Sequence, residues 1–231
     1  MRVTMFPWLG REFVSLFCEG NAKGTVMEET QALFHRLDVE LRELGLSLDN
    51  TVRTRLWARD RESRDLGGSE RVKILSGKAR SASSSYIDPD FFTSDARVAT
   101  DLTAMKPRSQ DVEKTLKEYD PPMIPLRYLI YDSIVILSGV TAVFPSLSDQ
   151  MADILPRIES SLTDAGSSWD KVVKVSFFLH RSQKLETLRG LCGETIKAEI
   201  PQVEYAFVEG YSTRGKLIEI EVTAEKSATG I

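Results

Sequence analysis

Apolar positions along the chain fall into two series, each with the periods of alternating strands and helices. In the later series Ser133–Leu137 is a β-branched apolar run that ends in Ser138-Gly139, which predicts a buried strand meeting a tight turn. After a loop containing Pro145, residues Met151, Ile154, Leu155, Ile158, Leu162 and Ala165 recur at helical spacing. They form one apolar stripe against polar Asp153, Arg157 and Ser161. Gly166 is the expected stop of that helix, since glycine takes left-handed backbone geometry without penalty. Trp169–Leu179 alternates as a strand, with Val173, Val175 and Phe177 on one face. Lys184–Lys197 predicts a weaker helix, and Tyr205–Val208 and Leu217–Val222 predict two closing strands.

The earlier series repeats this order. It predicts a strand at Phe13–Phe17, a helix at Met27–Leu44 and a strand at Thr51–Ala58. A less clear second helix begins in the mixed-charge run Arg59–Asp65, which is followed by Gly67-Gly68, and strands at Ala82–Ile87 and Arg97–Ala104 complete the half. Phe13–Arg59 lies over Ile134–His180 without a gap, at an offset of about 121 residues. Leu33, Phe34, Leu37, Leu41 and Gly45 then match Ile154, Leu155, Ile158, Leu162 and Gly166, and Asp49 and Val52 match Asp170 and Val173. Solenoid repeats are roughly 20–50 residues long, so this period indicates a duplicated domain. The expected division is a domain at 1–105, a connector at 106–125 and a domain at 126–231. The connector is charged and then proline-rich, with room for one helical turn around Val112–Tyr119.

Strands followed by the helices that must cover them imply α+β domains, each a mixed sheet with helices on one face. The other face is expected to remain partly apolar and uncovered, which suits an oligomer interface. Composition fits compact domains: 42% of the 231 residues are hydrophobic, and no apolar run is long enough to span a membrane. The N-terminus lacks a basic segment followed by an apolar stretch and a cleavage site, which favours a cytoplasmic protein. Cys18 and Cys192 lie in different halves, so a structural disulfide is not expected. Two histidines and two distant cysteines offer no metal-ligand spacing, so no metal is predicted. A net charge of −4 argues against a nucleic-acid groove, and the arginines from Arg53 to Arg64 are interleaved with Asp60 and Glu62.

The second half resembles the RidA (YjgF-type) family of imine/enamine deaminases. The residues that carry the resemblance are Leu137-Ser138-Gly139, Gln150 opening a helix, Leu162–Gly166, Trp169–Lys174, Ile200-Pro201 and Leu217–Val222. The first half is similar to a more diverged copy, with Leu44-Gly45, Asp49, Val52-Arg53 and Ala79-Arg80-Ser81. The resemblance implies a tandem of chorismate-mutase-like domains and a barrel-forming homo-oligomer, expected as a homotrimer. It further implies hydrolysis of a small carboxylate-bearing 2-imino or enamine acid, without a cofactor.

In that family an arginine pins the substrate carboxylate, a glutamate handles the proton of the attacking water, and a Ser-Gly turn and a tyrosine shape the pocket. Carried over residue by residue, the arginine is Arg80, with Val203 in its place in the second half. The glutamate is Glu219, with Ala99 in its place in the first half and Asp101 two residues on. Ser138 and Gly139 supply the turn, matched by Phe17-Cys18, so Cys18 is a further candidate to face the cleft. Tyr128 is the nearest match to the tyrosine, and Tyr131 is its rival. Glu219 and Glu221 alternate with apolar Leu217, Ile218, Ile220 and Val222, which also fits a half-exposed strand with outward carboxylates. Because neither half holds the full set, two classes of function stay open. One is a hydrolytic deaminase acting through Arg80 and Glu219 on its usual or a specialised substrate. The other is a non-catalytic metabolite-binding or assembly protein. RNA cleavage, sometimes attached to the family, fits the acidic balance least.

Overall fold

In the computed structural model, which describes residues 1–109 and 111–227, the chain opens on a hairpin of β1 (Arg2–Trp8) and β2 (Arg11–Glu19). Its two-residue turn has φ of 51° at Leu9 and 69° at Gly10, the left-handed pair that matches the twist of paired strands. β2 covers the strand expected at Phe13–Phe17, and β1 is an addition the pattern did not separate. Next come α1 (Val26–Glu43), β3 (Thr51–Ala58), α2 (Arg61–Ile74), β4 (Ala82–Ile87) and β5 (Val98–Lys106). Within Met1–Lys114, which forms one compact unit, the strand order is β1-β2-β5-β3-β4. β3 and β4 run parallel across the α2 crossover, and the other pairs are antiparallel. Leu33, Phe34, Leu37 and Leu41 of α1 pack on Leu16, Leu56 and Leu102 of the sheet.

The second unit, Thr115–Ile231, carries β6 (Thr115–Lys117), β7 (Tyr128–Tyr131), β8 (Ile134–Leu137), β9 (Val140–Thr141), α3 (Leu147–Asp164) and β10 (Val172–His180). It continues with α4 (Leu185–Thr195), β11 (Gln202–Val208), β12 (Gly210–Tyr211) and β13 (Ile218–Glu225). Its sheet order is β11-β10-β13-β8-β7-β6, with β9 also on β13 and β10/β11 as the parallel pair.

The two units repeat each other in detail. α1 and α3 are both 18 residues long, are capped by the side chains of Thr25 and Ser146, and run into Gly45 and Gly166, each at φ 73°. A β-bulge interrupts the pairing between Thr51 and Arg53, and again between Val172 and Lys174. Such a bulge adds one residue to a strand and shifts which side chains face inward. It is why Val172, and not the expected Val173, enters the helix-side core with Val175 and Phe177.

Three other expectations change. α2 runs straight through Gly67-Gly68, because a Cβ on Gly67 would lie 2.9 Å from Val98 Cγ1 and the bare backbone lets the helix settle on the sheet. In place of a helical turn near Val112–Tyr119, Thr115–Lys117 pairs with Tyr128–Ile130 and satisfies its backbone as a sheet edge. The division between units therefore falls inside the expected connector. On the sheet faces turned away from the helices, Phe13, Trp57, Tyr86 and Met105 in the first unit and Leu129, Ile134, Ile136 and Phe178 in the second are buried, while Ser15, Phe17 and Thr103 stay part-exposed. Among the described residues no helix is long and apolar enough to cross a membrane.

Candidate functional site

Strand alternation builds the candidate site of the second unit. Ile218, Ile220 and Val222 of β13 point into the helix-side core, so Glu219, Glu221 and Thr223 point to the opposite face. Phe178 of β10 and Thr141 of β9 lie opposite Glu219, and Ser176 lies opposite Glu221. Both carboxylates are buried, Glu219 to 4% exposure and Glu221 to 2%. A half-exposed strand with outward carboxylates is thus not what forms; these acids lie under cover.

The Ser138-Gly139 turn meets Glu219 directly. A Cβ built on Gly139 would sit 1.8 Å from Glu219 Oε1, so only glycine leaves room for the carboxylate. Ser138 is fully buried, and its backbone N–H donates to the Arg127 carbonyl at 3.3 Å. Glu204 completes an acidic face: it accepts from Ser176 Oγ at 2.7 Å and lies 3.2 Å from Lys174 Nζ.

Tyr211 is the residue that sequence reasoning missed. Its hydroxyl donates to the Phe178 carbonyl at 2.8 Å, and burial followed by the Glu219 charge pushes the phenol well above its ordinary range. The only sequence signal is a tyrosine after the β11 run. Among the described residues no group of three His, Cys, Asp or Glu is arranged to hold a metal ion.

The matching face of the first unit differs in charge. Register places Trp57 opposite Ala99 and Arg55 opposite Asp101, where the second unit pairs Phe178 with Glu219 and Ser176 with Glu221. Ala99 therefore holds the Glu219 position and Asp101 that of Glu221. Asp101 accepts from Trp57 Nε1 at 2.7 Å and lies 3.6 Å from Arg55, and Phe91 stacks on Trp57 with centroids 3.9 Å apart.

Arg80 follows the 3-10 turn Gly77–Ala79 and leads into β4. Its carbonyl accepts from Lys114 Nζ at 3.0 Å, and the same amine reaches the Thr51 carbonyl at 2.9 Å. Burial pulls the Lys114 amine down to about 8. Register corrects the proposed match between Arg80 and Val203. Arg53 faces Ala82 as Lys174 faces Gln202, so Val203 corresponds to Ser83 and Arg80 to Ile200.

Two other candidates turn away from the carboxylate face. Cys18 is buried in the helix-side core with Leu16 and Phe34, its thiol donates to its neighbour's carbonyl at 3.4 Å, and burial raises its pKa, as befits a small core residue. Tyr128 also lies on the helix side. Its hydroxyl donates to Asp164 of α3 at 2.8 Å, and burial followed by that bond pushes the phenol up to about 12. Tyr131, its rival, has the parity of the opposite face and is buried.

Residues 127–226 match the family described as endoribonuclease L-PSP. Among solved structures, a chorismatase overlays 95% of this chain and 78% of its own length, with a TM-score of 0.66 and 13% identity. A Rid-family protein from Yersinia pestis covers 48% of this chain and 98% of its own, at 23% identity and a TM-score of 0.44. A YjgF/YER057c/UK114-family member from Mycobacterium tuberculosis covers 49% and 99%, at 21% identity and a TM-score of 0.41. Curated protein sequences give no match. The family match over the second unit, joined to the shared bulge, helix lengths and strand register of the first, makes this chain a tandem of two RidA-like folds whose second unit belongs to the endoribonuclease L-PSP (YjgF/RidA) family.

Proposed function

We propose that this protein hydrolyses a small carboxylate-bearing imine or enamine of the 2-imino acid type, with Glu219 as acid/base. The observation that carries the reading is the seat of Glu219: a carboxylate buried at 4% exposure and held against the bare backbone of Gly139. Water adds to the C=N carbon while Glu219 accepts its proton and returns it to nitrogen. The carbinolamine then collapses to the keto acid and ammonia. An enamine first takes the proton at its terminal carbon and joins the same course. A well-placed carboxylate contributes about 10²–10⁴-fold in such steps. Arg80, three positions before the residue that register sets in Val203's place, is kept as the proposed holder of the substrate carboxylate, which a guanidinium grips by two parallel charge-assisted bonds. Ser138 and Gly139 shape the pocket wall, and the chain assembles with copies of itself as a homotrimer.

A second reading is favoured by the overlay with a chorismatase along nearly the whole chain. Here the substrate is a carboxylate-bearing enol ether such as chorismate. The chemistry is closely related: a proton goes to the electron-rich double bond, water adds to the resulting cation, and the hemiketal opens to a keto acid. The deciding experiment offers the protein chorismate and, separately, 2-imino acids generated in place by a pyridoxal-phosphate dehydratase. Keto-acid release above the spontaneous rate with one substrate class selects that class. Release with neither, together with measurable binding of such acids, leaves a metabolite-binding protein and defeats both.

A further inference from the structure

Gln150 is fully buried in the first turns of α3, and all its hydrogen-bonding groups go to backbone beside Glu219. Its Nε2 donates to the Phe144 carbonyl at 2.8 Å and to the Gly215 carbonyl at 2.7 Å. Its Oε1 accepts from the Leu217 N–H at 2.8 Å. Phe144 lies in the loop that leaves Thr141, the residue opposite Glu219, while Gly215 and Leu217 lie in the loop that delivers Glu219 into β13. The two loops also touch, since a Cβ on Gly215 would lie 3.1 Å from Val143 Cγ1. Val143 and Phe144 are exposed there, so the side chains of this loop do little to fix it.

The first unit carries a glutamate at the same helix position. Glu29 only accepts, from the Arg97 N–H at 2.9 Å and Arg97 Nε at 2.8 Å. It thus keeps the bond to the incoming central strand, as Gln150 does at Leu217, but has no side-chain amide N–H groups to give to the carbonyls of a second loop. That unit has Ala99 where the second has Glu219. The amide that can hold both loops therefore occurs in the unit that carries the carboxylate.

We propose that Gln150 is a positioning residue that fixes the two loops on either side of Glu219 and so sets the carboxylate for proton transfer. The proposal rests on the acid/base role assigned to Glu219 above. A buried amide with every donor and acceptor engaged holds backbone firmly, because each bond broken leaves a polar group without water.

Gln150→Glu tests it. The side chain keeps its shape and its acceptor for Leu217 but loses both donors and sets an acceptor against two carbonyls. Amide hydrogen exchange of residues 141–146 and 212–218 is read beside kcat, KM and thermal unfolding. Exchange in both loops is expected to rise roughly tenfold, with peptides of α3 and of the first unit unchanged. kcat is expected to fall about 10²-fold, the scale of a small misplacement of reacting groups, with KM changing less. Gln150→Met, which also releases Leu217, is expected to loosen the second loop further. Loops that keep their protection in Gln150→Glu, or exchange that rises equally through α3, overturn the positioning role while the reaction stands. A wild-type protein with no turnover, seen before any variant is made, sinks the reaction and the positioning role together.

Discussion

Glu219 Oε1 stands where a side chain on residue 139 would begin: a Cβ there would lie 1.8 Å from Oε1, 2.5 Å from Cδ and 2.7 Å from Cγ of Glu219. The glycine of the turn and the carboxylate of β13, 80 positions apart in the numbering, are therefore one steric unit. In the Gly139→Ala variant the Glu219 side chain has to swing aside from Cγ outward. Turnover is expected to fall about 10²-fold, with a destabilisation of about 1–3 kcal/mol from the overpacked turn. Steady-state kinetics beside urea unfolding check this; a variant with normal kcat would show that Glu219 has no fixed position to lose.

Glu219→Gln keeps size and removes the proton-accepting group. The expected loss is about 10²–10⁴-fold in kcat with the fold intact. Arg80→Ala, in contrast, is expected to raise KM for carboxylate substrates more than it lowers kcat, as suits a group that grips the substrate. Equal effects of the two variants on kcat alone would contradict the division of roles.

Gly67 and Gly68 separate close packing from helix propensity. A Cβ on Gly67 meets Val98 Cγ1 at 2.9 Å, whereas one on Gly68 finds its nearest neighbours at 3.8 Å or beyond. Gly67→Ala is expected to destabilise the first unit by about 1–3 kcal/mol through overpacking. Gly68→Ala is expected to stabilise it by up to about 1 kcal/mol, the helical advantage of alanine over glycine. Denaturant midpoints of the two variants should move in opposite directions.

Tyr128 and Asp164 give the second unit two pH limits. The Tyr128 hydroxyl, then Lys117 and Arg127, hold the Asp164 carboxyl below its ordinary 3.8. A depressed carboxylate stabilises fully above that ordinary value and loses its contribution as pH falls through the folded one. The Tyr128 phenol, raised from 10.0 to about 12, stabilises fully below pH 10 and loses its contribution as pH rises through 12. Tyr128→Phe removes the shared bond, so the acid limb should move to higher pH and the alkaline loss between 10 and 12 should flatten. Unfolding midpoints measured across pH check both limbs; unchanged limbs would mean that the bond is not kept in solution.

Much of the fold was legible in the chain, and the reasons differ by element. α1 and α3 were readable because their stripes are unbroken and their caps and stop glycines lie at matching positions. α2 was not, because Gly67 and Gly68 weaken a helical signal that their packing against Val98 and Leu56 restores only in three dimensions. Residue order also hides a bulge, so Val172 and Val173 exchanged faces. Alternation placed Glu219 and Glu221 on one face correctly, but alternating polar residues look the same whether that face is wet or covered. Tyr128 was misplaced because a four-residue strand has too little pattern to fix its parity. Tyr211 and Gln150 carry roles set by partners more than 30 and 60 positions away, at Phe178 and Leu217, which no local window can show.

The most direct test of the account is keto-acid release from 2-iminobutyrate generated in place, followed continuously with wild-type protein and with Glu219→Gln at equal concentration. Release above the spontaneous rate is expected with the wild-type protein, and none above it with the variant. Acceleration that survives Glu219→Gln would contradict the role of this carboxylate, and no acceleration by folded wild-type protein would contradict the imine reading itself.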